Sequence, residues 1–161
     1  MAVTIKKSNH VLGKVPTPSP MGKETISVFE SIALAVTDIE LADVIEYFIL
    51  PAGCLPVSYK IGATDMDTGG TVLTANFGIL NTGETAISTA TADGAAAWIA
   101  NHPLHSTAAL VTSDASKAAY DLLKAVTVST VDRIVGFVVS AAATTAASGT
   151  LTLEFSYKAA N

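Results

Sequence analysis

The strongest constraint in this sequence is a strict apolar–polar alternation near its end. In "TLTLEFSYK" (150–158), Leu151, Leu153, Phe155 and Tyr157 fall on one side, and Thr152, Glu154, Ser156 and Lys158 on the other. A period of two is the signature of a strand with one buried face. The pattern recurs. In "SIALAVT" (31–37) Ile32, Leu34 and Val36 share a face, opposite Ala33, Ala35 and Thr37. In "LPVSYKI" (55–61) Leu55, Val57, Tyr59 and Ile61 oppose Pro56, Ser58 and Lys60, and Pro56 suits an edge or strand-initial position. "TVLTANFGIL" (71–80) alternates through Leu73, Ala75, Phe77 and Ile79.

"VIEYFIL" (44–50) is nearly all apolar and reads as a strand buried on both sides, with a helix as the open alternative. "RIVGFVVS" (133–140) is a further strand. Its link to 150–158, "AAATTAASG", is built of small residues and ends in Ser-Gly, which predicts a hairpin between the two. "GATDMDTGG" (62–70) reads as a loop and "NTGE" (81–84) as a tight turn. Residues 85–113 are weakly patterned. "SDASKAAYDLLKA" (113–125) is the best helix candidate, capped by Ser113 or Asp114, with Tyr120, Leu122 and Leu123 on its apolar side. Together these predict an all-β protein: an antiparallel sandwich or jelly roll with an extended N-terminal arm and at most one short helix.

The arm follows from charge and proline. Four of the nine Lys and Arg residues, Lys6, Lys7, Lys14 and Lys23, precede Glu24, the first acid. The remaining chain holds five cations against fourteen acids. Pro16, Pro18 and Pro20 keep "KVPTPSPMGK" extended. Residues 1–24 therefore read as an extended arm and 25–161 as the sandwich domain. Fully stretched, the arm reaches about 75 Å at about 3.3 Å per residue. Its lysines suit an acidic partner. Its removal is expected to abolish attachment to a partner and leave the fold intact.

Chemistry is sparse. There is no Gly-x-Ser-x-Gly elbow, no Walker sequence and no dinucleotide fingerprint. The single cysteine, Cys54, reads as a small packing residue, which excludes an intrachain disulfide framework. "NHPLHS" sets His102 and His105 three apart in a loop, short of a zinc ligand set. They read as loop-surface residues, or as a pair titrating at an interface. Asp65 and Asp67 in "DMDTGG" resemble the opening of a calcium loop but lack its distal Glu, and a solvated turn is the simpler reading. The lone Trp98 is either a core anchor or an interface residue. No catalytic residue, cofactor or metal is expected, and the chain does not read as an enzyme. The longest apolar run (134–153) is broken by Ser, Thr and Gly and makes no membrane span. An acidic body with four arm cations and no interleaved aromatics makes a poor nucleic-acid binder. Only 14% of residues are charged while 50% are hydrophobic, against roughly 25% charged in an average domain. That balance fits an oligomer or docked subunit as well as a tightly buried β-protein.

From Asp43 onward, "ADVIEYFILPAGCLPVSYKIGATDMDTGGTVLTANFGILN" and the ending "VDRIVGFVVSAAATTAASGTLTLEFSYKAA" resemble tailed-bacteriophage capsid decoration proteins, also called cement or head-stabilising proteins. The likeness covers about two thirds of the chain. It implies a β-sandwich or jelly-roll subunit made in the host cytoplasm and bound to the outer capsid surface of the virion. The partners it implies are the major capsid protein and further copies of the chain, as a homotrimer in preference to a homodimer. No nucleic acid and no membrane is involved. On this view Lys6, Lys7, Lys14, Pro16, Pro18, Pro20 and Lys23 form the docking arm, and Trp98, His102 and His105 an oligomer or partner interface. The alternative is a fibre- or tail-associated receptor- or carbohydrate-binding module, with Trp98 and Tyr59 stacking on sugar and Asp65 and Asp67 holding calcium.

Overall fold

A computed structural model of the chain describes residues 3–22, 24–70, 72–105, 111–112 and 116–160. Two sheets face each other. The first runs β1 (Ile5–Lys7), β3 (Val44–Leu50), β8 (Arg133–Ala141), β5 (Thr74–Ile79), β6 (Ile99–Pro103). The second runs β2 (Thr25–Leu34), β9 (Gly149–Ala159), β4 (Cys54–Ala63), β7 (Val111–Thr112). All pairings are antiparallel except β1 with β3, which is parallel. One helix, α1 (Lys117–Lys124), is described. The expected all-β sandwich with a single short helix is what forms.

The alternating segments supply the core. Leu151, Leu153, Phe155 and Tyr157 of β9 are fully buried, as are Leu73, Ala75 and Phe77 in and beside β5. β9 lies between β2 and β4, the best-covered place for the most regular strand. Across the gap, Trp98 stacks on Tyr59 (ring centroids 5.9 Å) and on Phe155 (6.2 Å), and meets Phe77 edge-on at 5.4 Å. Such aromatic clusters combine large buried area with favourable edge and offset geometry.

Two bulges explain where the alternation misleads. In β3 the register shifts between Glu46 and Phe48, and Tyr47 is the extra residue. Tyr47 and Phe48 are thus both buried, and Val44, Ile45 and Glu46 before them are buried as well, so "VIEYFIL" lacks alternation because both faces of the strand are covered. In β4 the shift lies between Pro56 and Ser58. Cys54 and Pro56 face inward before it, and Tyr59 and Ile61 after it, so Leu55 and Val57 leave the predicted face. Pro56 sits on a stretch of β4 that pairs with β9 alone, where a missing N–H is tolerated. Gly136 faces the β3 bulge; a Cβ there would come within 2.4 Å of the Ile45 carbonyl oxygen.

The predicted hairpin of 133–140 with 150–158 does not form. β8 belongs to the first sheet and β9 to the second, so the small-residue connection crosses the sandwich. Its small side chains serve close approach instead. Cβ atoms on Gly69 and Gly70 would fall 2.0 and 2.6 Å from the hydroxyls of Thr145 and Thr144. Val36 also departs from its predicted face. It lies in a 3-10 turn after β2 and is 44% exposed. In α1 the cap is Ser116, whose hydroxyl accepts from the Ala119 N–H at 3.1 Å. Ser113 and Asp114 lie outside the described residues. Leu123 and Ala119 form the buried side of the helix, and Tyr120 is exposed.

Candidate functional site: the docked leader and the surfaces beside it

Glu46 poses a problem that the fold must solve. It is the one acid inside an apolar strand, and its side chain is fully buried. An unpaired carboxylate there would cost several kcal/mol. The leader supplies the partner. β1 runs beside β3 in the register Ile5–Val44, Lys6–Ile45, Lys7–Glu46. The Val44 N–H donates to the Thr4 carbonyl at 3.0 Å, and the Ser8 N–H to the Glu46 carbonyl at 2.9 Å. Lys7 Nζ then lies 2.9 Å from Glu46 and 3.4 Å from Glu84. Glu46 beside it holds the Lys7 ammonium above its ordinary range. Burial nevertheless dominates at Glu46 and raises its carboxyl, with Lys7 opposing the rise. Glu84 reaches the cluster from the turn after β5 with a left-handed backbone, φ 54°. That conformation is unusual for a residue with a Cβ and aims its carboxylate at the leader.

Further contacts continue along residues 4–18. Lys6 Nζ donates to Asp38 at 3.0 Å, and the Thr4 N–H to Asp43 at 2.7 Å. The Asn9 N–H donates to Glu30 at 2.9 Å, and His10 Nε2 lies 3.9 Å from the other oxygen of that carboxylate. His10 packs edge-on against Phe48 at 4.9 Å, and the Ser8 hydroxyl donates to the Tyr47 carbonyl. Finally, the Tyr157 hydroxyl donates to the Pro18 carbonyl at 2.6 Å. Glu46 belongs to the first sheet, while Glu30 and Tyr157 belong to the second. The leader therefore spans the open side of the sandwich.

These contacts change the picture of the arm. Lys6 and Lys7 are engaged by acids of their own chain, and Ser8 and His10 are buried. Lys14, Pro16 and Pro18 are exposed, Pro20 is half-buried, and Lys23 lies outside the described residues. Trp98, read as either a core anchor or an interface residue, is 1% exposed and takes the core role; His102, read as a loop-surface or interface residue, lies in β6 and is also 1% exposed. The reason for Trp98 is local: its backbone N–H donates to the Phe77 carbonyl at 2.7 Å, beside the core aromatics on which the indole packs. His102 pairs with inward-facing Ala75, and burial pushes its pKa down to about 4. Neither ring nitrogen of His102 has a hydrogen-bond partner among the described residues. His105 is half-buried beside residues outside the description.

Asp67 is also more than a solvated turn residue. It is 1% exposed and accepts from the N–H groups of Thr145 (2.9 Å), Thr144 (3.1 Å), Val72 and Leu73 (both 3.4 Å). These donors lower its pKa, Thr145 most. A carboxylate so occupied ties two loops together and has little left for a cation. Asp65 accepts from the Asp67 N–H at 3.0 Å, closing the turn. Among the described residues no three His, Cys, Asp or Glu side chains are grouped to hold a metal. Cys54 is buried, and burial raises its thiol, as suits packing.

A groove of about 640 Å³ lies between the 80–84 turn and residues 129–134. Its floor holds an ion pair, Arg133 with Asp93 at 3.0 Å, and Ser88 donates to the same Asp93 at 2.6 Å. The pair is internally neutralised, and no histidine or cysteine lines the groove. Val131 at the groove is 64% exposed; other exposed large apolar side chains are Phe29 at 64%, Leu41 at 56%, and Val3, Ile5, Leu12, Val15 and Met21 in the leader. No helix among the described residues is long and apolar enough to cross a membrane.

No protein-family model and no curated protein matches the sequence. Solved structures do. A chain of the capsid of Ralstonia phage GP4 superposes with a TM-score of 0.76 at 22% identity, over 98% of this chain and 99% of that one. A chain of the cyanophage Pam1 capsid asymmetric unit gives a TM-score of 0.53 at 21% identity, over 92% and 96%. At these identities the likeness is one of fold.

Proposed function

We propose that this chain is a structural subunit of a tailed-phage virion, and that it decorates the outside of the capsid, reinforcing contacts between major capsid proteins. The observation that carries the proposal is the end-to-end likeness to a chain of nearly equal length in the GP4 capsid. A match over almost the whole of both chains covers the docked leader as well as the sandwich. The surface is consistent with this role. The sequence is poor in charge, large apolar side chains are exposed, and the groove beside the 80–84 turn is lined by no histidine or cysteine, with no metal-ligand cluster among the described residues. The receptor- or sugar-binding reading loses the residues that suggested it, because Trp98 and Tyr59 are interior and Asp67 is occupied by backbone donors.

The test is to mix purified protein with capsids lacking it and to image the particles. Density of this shape at repeated positions on the outer shell is expected. Density confined to the tail or fibres, with bare shells, would overturn decoration and keep only the virion assignment.

A further inference from the structure

The site beside β3 is specific for one sequence, and that sequence is the chain's own leader. It needs a short strand that pairs in parallel with 44–46, a cation opposite Asp38 and another opposite Glu46 and Glu84. Any second copy carries the same Thr4–Ser8 segment and satisfies the site equally well. The link between the docked strand and the body is suited to reaching that copy. Its hydrogen bonds are mostly internal to 8–15, between Leu12 and Ser8, Gly13 and His10, and Lys14 and Val15 with Asn9. Gly13 and Gly22 have left-handed backbones, φ 70° and 62°, so the link bends at two points around a proline-stiffened middle. Residues 11–22 span up to about 40 Å when extended.

The closed subunit also leaves an unexplained cost. Leu12, Val15 and Met21 are 50%, 40% and 82% exposed, although a linker with no partner gains nothing from large apolar side chains. Crossing to a neighbour would lay them against protein.

We infer that the leader docks on a second copy of the chain, residues 4–10 of one subunit occupying the β3-edge site of the next, so that neighbouring subunits exchange arms. This rests on the capsid reading for the setting that brings copies together. The exchanged contacts equal those in the closed subunit, so exchange is decided by local concentration and by the linker. A shell lattice holds copies at fixed spacing, which raises that concentration without any new site.

The experiment uses full-length protein. Equal amounts of unlabelled and fully ¹⁵N-labelled chain are mixed and treated with a carbodiimide, which joins a lysine to a carboxylate in contact. This is done in concentrated solution and after addition to capsids lacking the protein. Peptides joining Lys6 to Asp38 are then weighed. Arm exchange predicts that roughly half of them pair a light with a heavy peptide, as random partners require. Same-isotope pairs alone, in solution and on shells, would overturn the inference. Failure to attach to shells combined with mixed pairs in solution would overturn the decoration reading and leave exchange standing.

Discussion

Acid should unfold this protein through His102, and the size of the effect follows from its burial. The ring is inside the sandwich at 1% exposure, both nitrogens lack partners among the described residues, and the pKa is about 4. In the unfolded chain it returns to about 6.5. The folded pKa is depressed, so for this base the stability is fully present above about 6.5. It is lost as pH falls, because the unfolded state takes up the proton first. The loss is complete near pH 4, and a gap of this width corresponds to about 3 kcal/mol. Glu46 works in the opposite direction. Its carboxyl is raised in the fold, so its contribution is present at low pH and fades as pH rises through the folded value. The wild-type slope is therefore a sum, and His102→Leu isolates one part. Urea denaturation at pH 4 and pH 7 should show the wild type losing about 3 kcal/mol more than His102→Leu over this interval. The variant can be less or more stable at pH 7 without affecting the argument. Equal losses in the two proteins would show that His102 is solvated or paired, and would refute the reasoning.

Lys7→Met should destabilise the protein by about 1–2 kcal/mol, below the value for a fully buried pair because Lys7 itself is 38% exposed, and adding Glu46→Gln should restore most of it in chemical denaturation. Removing residues 1–10 should cost at least about 2 kcal/mol, since β1 leaves β3 and Asp43 and Glu46 lose their leader partners; an unchanged denaturation midpoint would count against the docked leader. Asp67→Ala should speed amide exchange at Thr144 and Thr145 and leave calcium without effect on the melting temperature, whereas stabilisation of the wild type by calcium would argue for a cation site. Gly136→Ala should destabilise by about 2 kcal/mol or more, because the methyl group meets the Ile45 carbonyl and β3 must move, which a thermal melt will register.

The strands were legible where one face is more exposed than the other. Residues 150–158 and 72–80 alternate because one face is the more exposed, and their predicted inward residues are all buried, joined only by Ser156, Gly78 and Leu80 from the other face. Legibility failed at the bulges, where one extra residue in 54–61 reverses the faces without altering composition. It failed again at 141–149, because small residues serve a hairpin turn and a tight crossover equally well. Partners distant in sequence were hidden in the same way. Nothing local to Asp67 announces donors some 77 residues away, and nothing local to Trp98 distinguishes an interior site from an interface. One signal for the leader site was present but unused. Glu46 stands alone in an apolar strand, and the leader holds the chain's only adjacent pair of lysines.

Segregating charge has a consequence for assembly. Free lysines on an arm attract any acidic surface, over a distance set by the ionic strength. Here Lys6 and Lys7 find their acids only when β1 is in register with β3, because Asp38, Glu46 and Glu84 come from three separate parts of the chain. The ion pairs therefore reward one geometry and give little to a loosely held arm. Lys14 stays exposed between bends, without an ion partner among the described residues. It can steer the linker toward an acidic neighbour without competing for the strand site. The same residues thus close the sandwich within one subunit and, exchanged between two, would link subunits with no surface built for that purpose alone. This is why stability and attachment should not separate cleanly in leader variants. Substitutions at Lys6 or Lys7 should weaken both, whereas Lys14, Pro16 and Pro18 can be changed with the fold intact.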